Sequence, residues 1–165
     1  MTTPSPTIPI ARHAGEGEAL WFLGSLVTIK AAGEDTGGRM AVVEHHSPRG
    51  SGSPLHVHRN EDESFYVLEG ELTVWVDGQT IVAPAGSFVY GPRDVPHTFI
   101  VSSEEARFLL IAQPAGFDAF VRALGEPAQQ LVIPPPATEP PDIAALSAIA
   151  AEHGIEVLGP PGIPN

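Results

Sequence analysis

Apolar and polar residues alternate in short runs through the middle of the chain, and Gly or Pro interrupts them at close intervals. These runs predict strands over 21–31, 39–46, 54–58, 64–69, 71–76, 79–83, 87–90, 97–102 and 106–113. Asp77-Gly78 lies between two of them and signals a two-residue hairpin, because Gly accepts positive φ. Glu69-Gly70-Glu71 reads as a similar tight reversal, and Pro84-Ala85-Gly86 has turn chemistry. Many short strands with frequent turns predict an all-β sandwich or barrel over residues 19–113.

The flanks differ. Residues 1–18 are rich in Pro, Thr and Gly, show no periodicity and read as an extended arm. Residues 114–165 switch to helical spacing around the tract Pro134-Pro135-Pro136. One helix is expected over about 115–124, with Phe117, Phe120, Val121 and Leu124 on one face. A second is expected over about 139–152, with Thr138 as its N-cap and Gly154 as its stop. Its stripe of Ile143, Leu146, Ile149 and Ala150 is expected to pack on the outside of the barrel. No internal repeat suggests a duplicated barrel.

Composition narrows the chemistry. With 165 residues the chain has the length of one ordinary domain. It has no cysteine, which excludes disulfides and thiolate ligands and leaves nitrogen and oxygen to hold any metal. Eight basic residues face 20 acidic ones, and Lys30 is the sole lysine. Phosphate backbones and anionic lipids need clustered Lys and Arg, so neither nucleic acid nor membrane is an expected partner. No apolar run approaches the roughly 20 residues that span a bilayer. Met1–Pro6 lacks the basic start and apolar stretch of a secretory leader, so a cytoplasmic location is expected.

Against this background Gly50 to Gly70 stands out. His56 and His58 are two apart, and on a strand positions i and i+2 point to one face. Glu63 opens the next strand after a short turn and can bring a carboxylate back beside them. His97 follows Gly91-Pro92-Arg93-Asp94-Val95-Pro96 and is set in extended chain by the preceding proline. Imidazole and carboxylate suit Fe, Ni, Co, Mn, Cu or Zn. Three nitrogens and one oxygen leave two octahedral positions open for water, substrate or dioxygen. His13, His45, His46 and His153 read as surface or packed residues. His45 and His46 are adjacent on one strand, so at most one can face the interior.

These residues resemble the cupin superfamily. Its first motif, G-x5-H-x-H-x3–4-E-x6-G, is matched by Gly50, His56, His58, Glu63 and Gly70. Its second, G-x5-P-x-G followed by a histidine, is matched by Gly78, Pro84, Gly86 and His97, with a longer spacer before the histidine. The resemblance covers about residues 20–113 and implies a double-stranded β-helix, or jelly-roll barrel, with the C-terminal helices packed outside. It also implies one divalent transition metal inside, held by His56, His58, Glu63 and His97, and a homodimer. A narrower likeness lies in Trp21-Phe22-Leu23-Gly24, in Glu61-Asp62-Glu63-Ser64-Phe65-Tyr66, and in a tail with a Phe-rich helix followed by Ile149–Ile155. These segments look like those of quercetinase-like proteins, whose members cleave flavonols with dioxygen using the metal and its glutamate.

That likeness implies a dioxygenase acting on a flavonol-like or other enol or phenol, with Glu63 as the catalytic base and dioxygen as co-substrate. Strand parity then puts Phe65, Val67 and Glu69 on the face of Glu63, and Phe99 and Val101 on that of His97. Phe65, Phe99 and Val101 are candidate pocket walls, with barrel filling as the plain alternative. Tyr66 and Leu68 should face outward, and Arg93 and Asp94 should be solvated turn residues. Two other functions stay open: a non-redox metal cupin of isomerase or epimerase type, and a cupin that binds a small molecule without turnover.

Overall fold

The computed structural model describes residues 7–165, so the first six residues of the expected arm lie outside the described residues. The chain runs β1 (Glu18–Phe22), β2 (Ser25–Ala31), α1 (Gly33–Thr36), β3 (Ala41–Pro48), β4 (Pro54–His58), β5 (Asp62–Glu69), β6 (Glu71–Val76) and β7 (Gln79–Pro84). It continues with β8 (Phe88–Gly91), β9 (His97–Val101), β10 (Glu105–Gln113), α2 (Phe117–Leu124), β11 (Glu126–Pro127), α3 (Ile143–Glu152) and β12 (Ile155–Pro161). The strands form two antiparallel sheets, in the orders β11-β1-β2-β3-β10-β5-β8 and β12-β4-β9-β6-β7. One apolar core joins them, with Val43, Phe65, Val67 and Phe108 from the first and Leu72, Val74, Ala83 and Val101 from the second. This is the expected all-β jelly-roll. Among the described residues no helix is long and apolar enough to cross a membrane.

Several local expectations hold. The Asp77-Gly78 hairpin has both residues at positive φ, 45° and 85°, and pairs Val76 with Gln79. Tyr66 and Leu68 are exposed, and Phe88 and Tyr90 on the neighbouring strand join them on the outer face.

Other expectations need correction. The run 21–31 is two strands, not one. Leu23 and Gly24 turn the chain at φ 47° and 81°, a hairpin geometry that Leu does not advertise. Glu69-Gly70-Glu71 is a corner rather than a hairpin, since β5 pairs with β10 and β8 while β6 pairs with β7 and β9. A side chain at Gly70 would meet the backbone of Glu105 and Ala106, so glycine is required for close approach as well as for its φ of 77°. Glu69, expected on the inner face, is exposed at this corner.

The second helix begins at Ile143, not 139, and its cap is Asp142, whose side chain accepts from the Ala145 N–H at 3.0 Å. A carboxylate cap immediately after Pro140 and Pro141 displaces the expected start at Thr138. In its apolar stripe, Ile143 is exposed while Ala150 is buried and Ile149 packs on the core. The tail also holds an unexpected strand, β12, antiparallel to β4 with Ile155 opposite His58 and Val157 opposite His56. It is an edge strand, the place where a Pro-containing segment can still pair.

Phe108 is fully buried and touches the rings of Phe65, Phe99 and His45. Phe108→Ala is expected to destabilise the fold by about 3–5 kcal/mol through lost burial plus a cavity. The shift in denaturant midpoint at constant slope checks it.

Candidate metal centre

His56 and His58 project from one face of β4, and the register places His56 opposite His97 on β9. Glu63 lies near the start of β5, opposite Gly91 on β8 and Ala112 on β10. The loop before His97 is tied back to the site. Asp94 N–H donates to the His58 carbonyl at 2.8 Å, and the Asp62 carboxylate accepts from Arg93 N–H at 2.9 Å. Asp94 takes a positive φ of 64° to do so. Arg93 and Asp94 are thus exposed but positioned, the latter also accepting from Arg59 at 3.0 Å.

All four side chains are buried, and one ligand atom from each falls within 4.8 Å of every other. Glu63 Oε2 lies 2.6 Å from His97 Nε2, 3.5 Å from His58 Nε2 and 4.0 Å from His56 Nε2. His56 Nε2 and His58 Nε2 are 3.1 Å apart. The outward-facing nitrogens explain this convergence. His56 Nδ1–H donates to the Pro54 carbonyl at 2.8 Å and His97 Nδ1–H to the Val95 carbonyl at 3.0 Å. A carbonyl only accepts, so the proton is on Nδ1 in both, and Nε2 is left to present a lone pair inward. His58 Nδ1–H donates instead to the Glu61 carboxylate at 2.8 Å. Three lone pairs and a carboxylate facing one point are a donor set that a divalent cation fits.

Without a cation the charges settle differently. Burial pulls His56 down to about 3, and the neighbouring His97 adds to this against the opposing pull of Glu63. Burial acts downward on His58 too, but Glu63 and Glu61 outweigh it and hold it up at about 10. Burial would raise Glu63, yet the adjacent His58 and His97 keep its carboxyl well below the usual range. The metal-free cluster therefore contains a His58 imidazolium and a Glu63 carboxylate, and His58 Nε2–H can donate to the neutral His56.

Glu61 is the site residue that the sequence reading passed over. It is almost wholly buried, three residues beyond His58, and its carboxylate bears on that ring alone among the three. Its place inside the first motif was the available signal. His45 also turns inward, on the buried face shared by Ala41, Val43 and Ser47, while His46 points outward to Glu105 at 2.8 Å. Of the other histidines, His13 is exposed and His153 Nδ1–H donates to the Ile149 carbonyl at 2.9 Å.

The cluster opens onto a cavity. His56, His58 and Glu63 line it, whereas His97 completes the group from beyond the lining. Phe22, Phe99, Leu110, Phe117, Phe120, Leu146, Ile155 and Val157 supply much of its apolar wall, and Ser25, Ser47, Ser51 and Ser53 add hydroxyls. Of the three candidate wall residues, Phe99 lines this cavity and Phe65 and Val101 do not. Phe65 packs at a tilt against Phe99 and Phe108 in the core, and Val101 is buried opposite Leu72. Parity chose their face correctly but not their depth. The helical tail, expected only outside, contributes Phe117, Phe120, Leu146 and Ala150 to the cavity.

Residues 42–112 match the family described as Cupin domain. The chain is similar to the quercetin 2,3-dioxygenase of Bacillus subtilis (strain 168), with 33% identity over 131 residues, 79% of this chain and 39% of that protein. It is similar to the quercetin 2,3-dioxygenase of Aspergillus japonicus, with 24% identity over 123 residues, 70% of this chain and 35% of that protein. The chain thus spans well under half the length of these relatives. In fold it is similar to an RmlC-like cupin from Shewanella frigidimarina, with a TM-score of 0.57 at 23% identity over 67% of this chain and 96% of that one.

Two outcomes are expected. Metal-free protein should be most stable near pH 6–7. His58, raised in the folded state, stabilises below its unfolded value and loses that contribution as pH climbs from about 6.5 to 10. His56 and His45, both lowered, lose theirs as pH falls from about 6.5, His45 down to about 4 and His56 down to about 3. Denaturation midpoints across pH 4–10 in chelator check the bell. Separately, Glu61→Gln should weaken divalent-metal affinity about 10–100-fold by loosening the His58 ring, as read by competition with a chromophoric chelator.

Proposed function

We propose that the chain is a quercetinase-like cupin and a metal-dependent dioxygenase acting on a flavonol-like or related enol or phenol beside a carbonyl. In this reading His56, His58, Glu63 and His97 hold one divalent transition metal. One observation carries it: the four-residue cluster borders a cavity walled by aromatic and aliphatic side chains. Among the described residues no Arg or Lys lines that cavity, which disfavours phosphorylated or strongly anionic ligands. A flat, mostly apolar ligand with one acidic hydroxyl is the better match.

The bound metal would supply Lewis acidity that stabilises the ionised oxygen of the substrate. The protein's own part follows from its geometry. Glu63 is the carboxylate in the cavity wall and is ionised, so it is the group placed to accept the hydroxyl proton. Its Oε2 lies 2.6 Å from His97 Nε2 and 3.5 Å from His58 Nε2, among the groups that would share the metal. Phe99, Phe117 and Phe120 displace water from the ligand's faces and so strengthen electrostatics at the cluster. The nitrogen-oxygen donor set suits Fe, Ni, Co, Mn, Cu or Zn without choosing among them.

Metal-loaded protein mixed anaerobically with a panel of flavonols, then exposed to oxygen, tests the reading. Oxygen uptake with loss of flavonol absorbance is the expected result. Glu63→Gln at matched metal content should slow it by about 10²–10⁴-fold. A spectral shift without oxygen uptake would reduce the protein to a binder. Indifference to every flavonol would overturn the substrate class.

A further inference from the structure

His45 stands outside the four-residue cluster but lines the same cavity. It sits on β3 between Val27 of β2 and Phe108 of β10, deep in the larger sheet. Its side chain is 4% exposed, and its buried Nε2 has no hydrogen-bond partner within the protein. The ring is fixed in orientation. It stacks on Phe108 with centroids 4.8 Å apart and planes 17° from parallel, and it meets Phe22 edge-on at 6.5 Å. His46 Nδ1 is also unpartnered, but that side chain faces away and already bonds Glu105. Outside the cluster the other polar side chains of this wall are the hydroxyls of Ser25, Ser47, Ser51 and Ser53, and a buried ring nitrogen left open there is unfavourable unless a ligand completes it.

We infer that His45 is a ligand-anchoring residue, whose Nε2 hydrogen-bonds a second hydroxyl or carbonyl of a flat apolar ligand whose other oxygen sits at the metal cluster. The inference rests on the reading of the cavity as a flavonol-type site and adds a specificity element to it. Burial holds the imidazole neutral, down to about 4 against the opposing pull of Glu63, so it offers a hydrogen bond and no charge. The complementary group is therefore an uncharged oxygen, not a carboxylate or phosphate. Two polar contacts at separate points of an aromatic cavity would fix both the orientation of a planar ligand and which hydroxylated form is preferred.

The test uses protein loaded with zinc, which has no redox chemistry and so permits binding without turnover. The probes are 3-hydroxyflavone and its derivatives carrying one extra hydroxyl at different positions on the outer rings. Wild type should bind at least one derivative about 10-fold more tightly than the parent. The His45 Nε2 ¹⁵N resonance should move with that derivative and not with the parent. His45→Phe should bring the affinity ratio to within about twofold of one, and His45→Gln should restore part of it. Equal binding of all probes by wild type, or a preference that survives His45→Phe, overturns the anchor and leaves the flavonol reading intact. Failure of wild type to bind any probe sinks both. A His45-dependent preference without oxygen uptake by protein loaded with redox-active metals sinks the dioxygenase alone.

Discussion

Three imidazoles and a carboxylate can share a dry pocket only when every proton has an assigned place. Here that condition is met from outside the pocket. The carbonyls of Pro54 and Val95 and the carboxylate of Glu61 each accept an Nδ1–H, which turns every Nε2 inward. The rest of the structure serves these three acceptors. Pro54 precedes the ligands on their own strand, Glu61 lies in the loop that follows it, and Val95 belongs to the turn that Asp94 and Arg93 tie down. Removing the pattern would leave like groups crowded in low dielectric, with no cation able to satisfy them together.

Asymmetry within the cluster is equally physical. Two rings lean on neutral carbonyls and one on a carboxylate, and without metal His58 is held up at about 10 while His56 falls to about 3. The same low dielectric acts in the opposite sense on His45 and His56, which lose their protons for want of a sufficient counter-charge. Neighbouring histidines in one barrel thus hold different charge states because of what stands within a few ångströms of each.

Much of this was readable from the chain wherever a local rule governs it. The i, i+2 spacing of His56 and His58 dictates a common face, and Asp77-Gly78 dictates a hairpin, because both depend only on adjacent backbone geometry. Failures came where partners are chosen at a distance. Gly70 at positive φ serves a hairpin or a corner equally well, and only the choice of sheet decides. Leu23 turns the chain through a conformation its side chain does not favour, so surrounding strands must impose it. Phe65 and Phe99 have the same parity relation to a ligand, yet one fills the core and the other faces the cavity, since period two carries no information about depth. The tail strand was obscured by Pro160 and Pro161, which are tolerable because, among the described residues, nothing pairs on its far side.

That last strand has a consequence for how the protein is made. β4, which bears two of the imidazoles, gains its second neighbour from residues about a hundred positions further along. During synthesis on the ribosome the histidines emerge first, and the wall of Ile155 and Val157 beside them is translated about a hundred residues later. The nascent barrel therefore passes through a stage with an open edge and a wet, incomplete pocket, and its centre is sealed only when this much later segment appears.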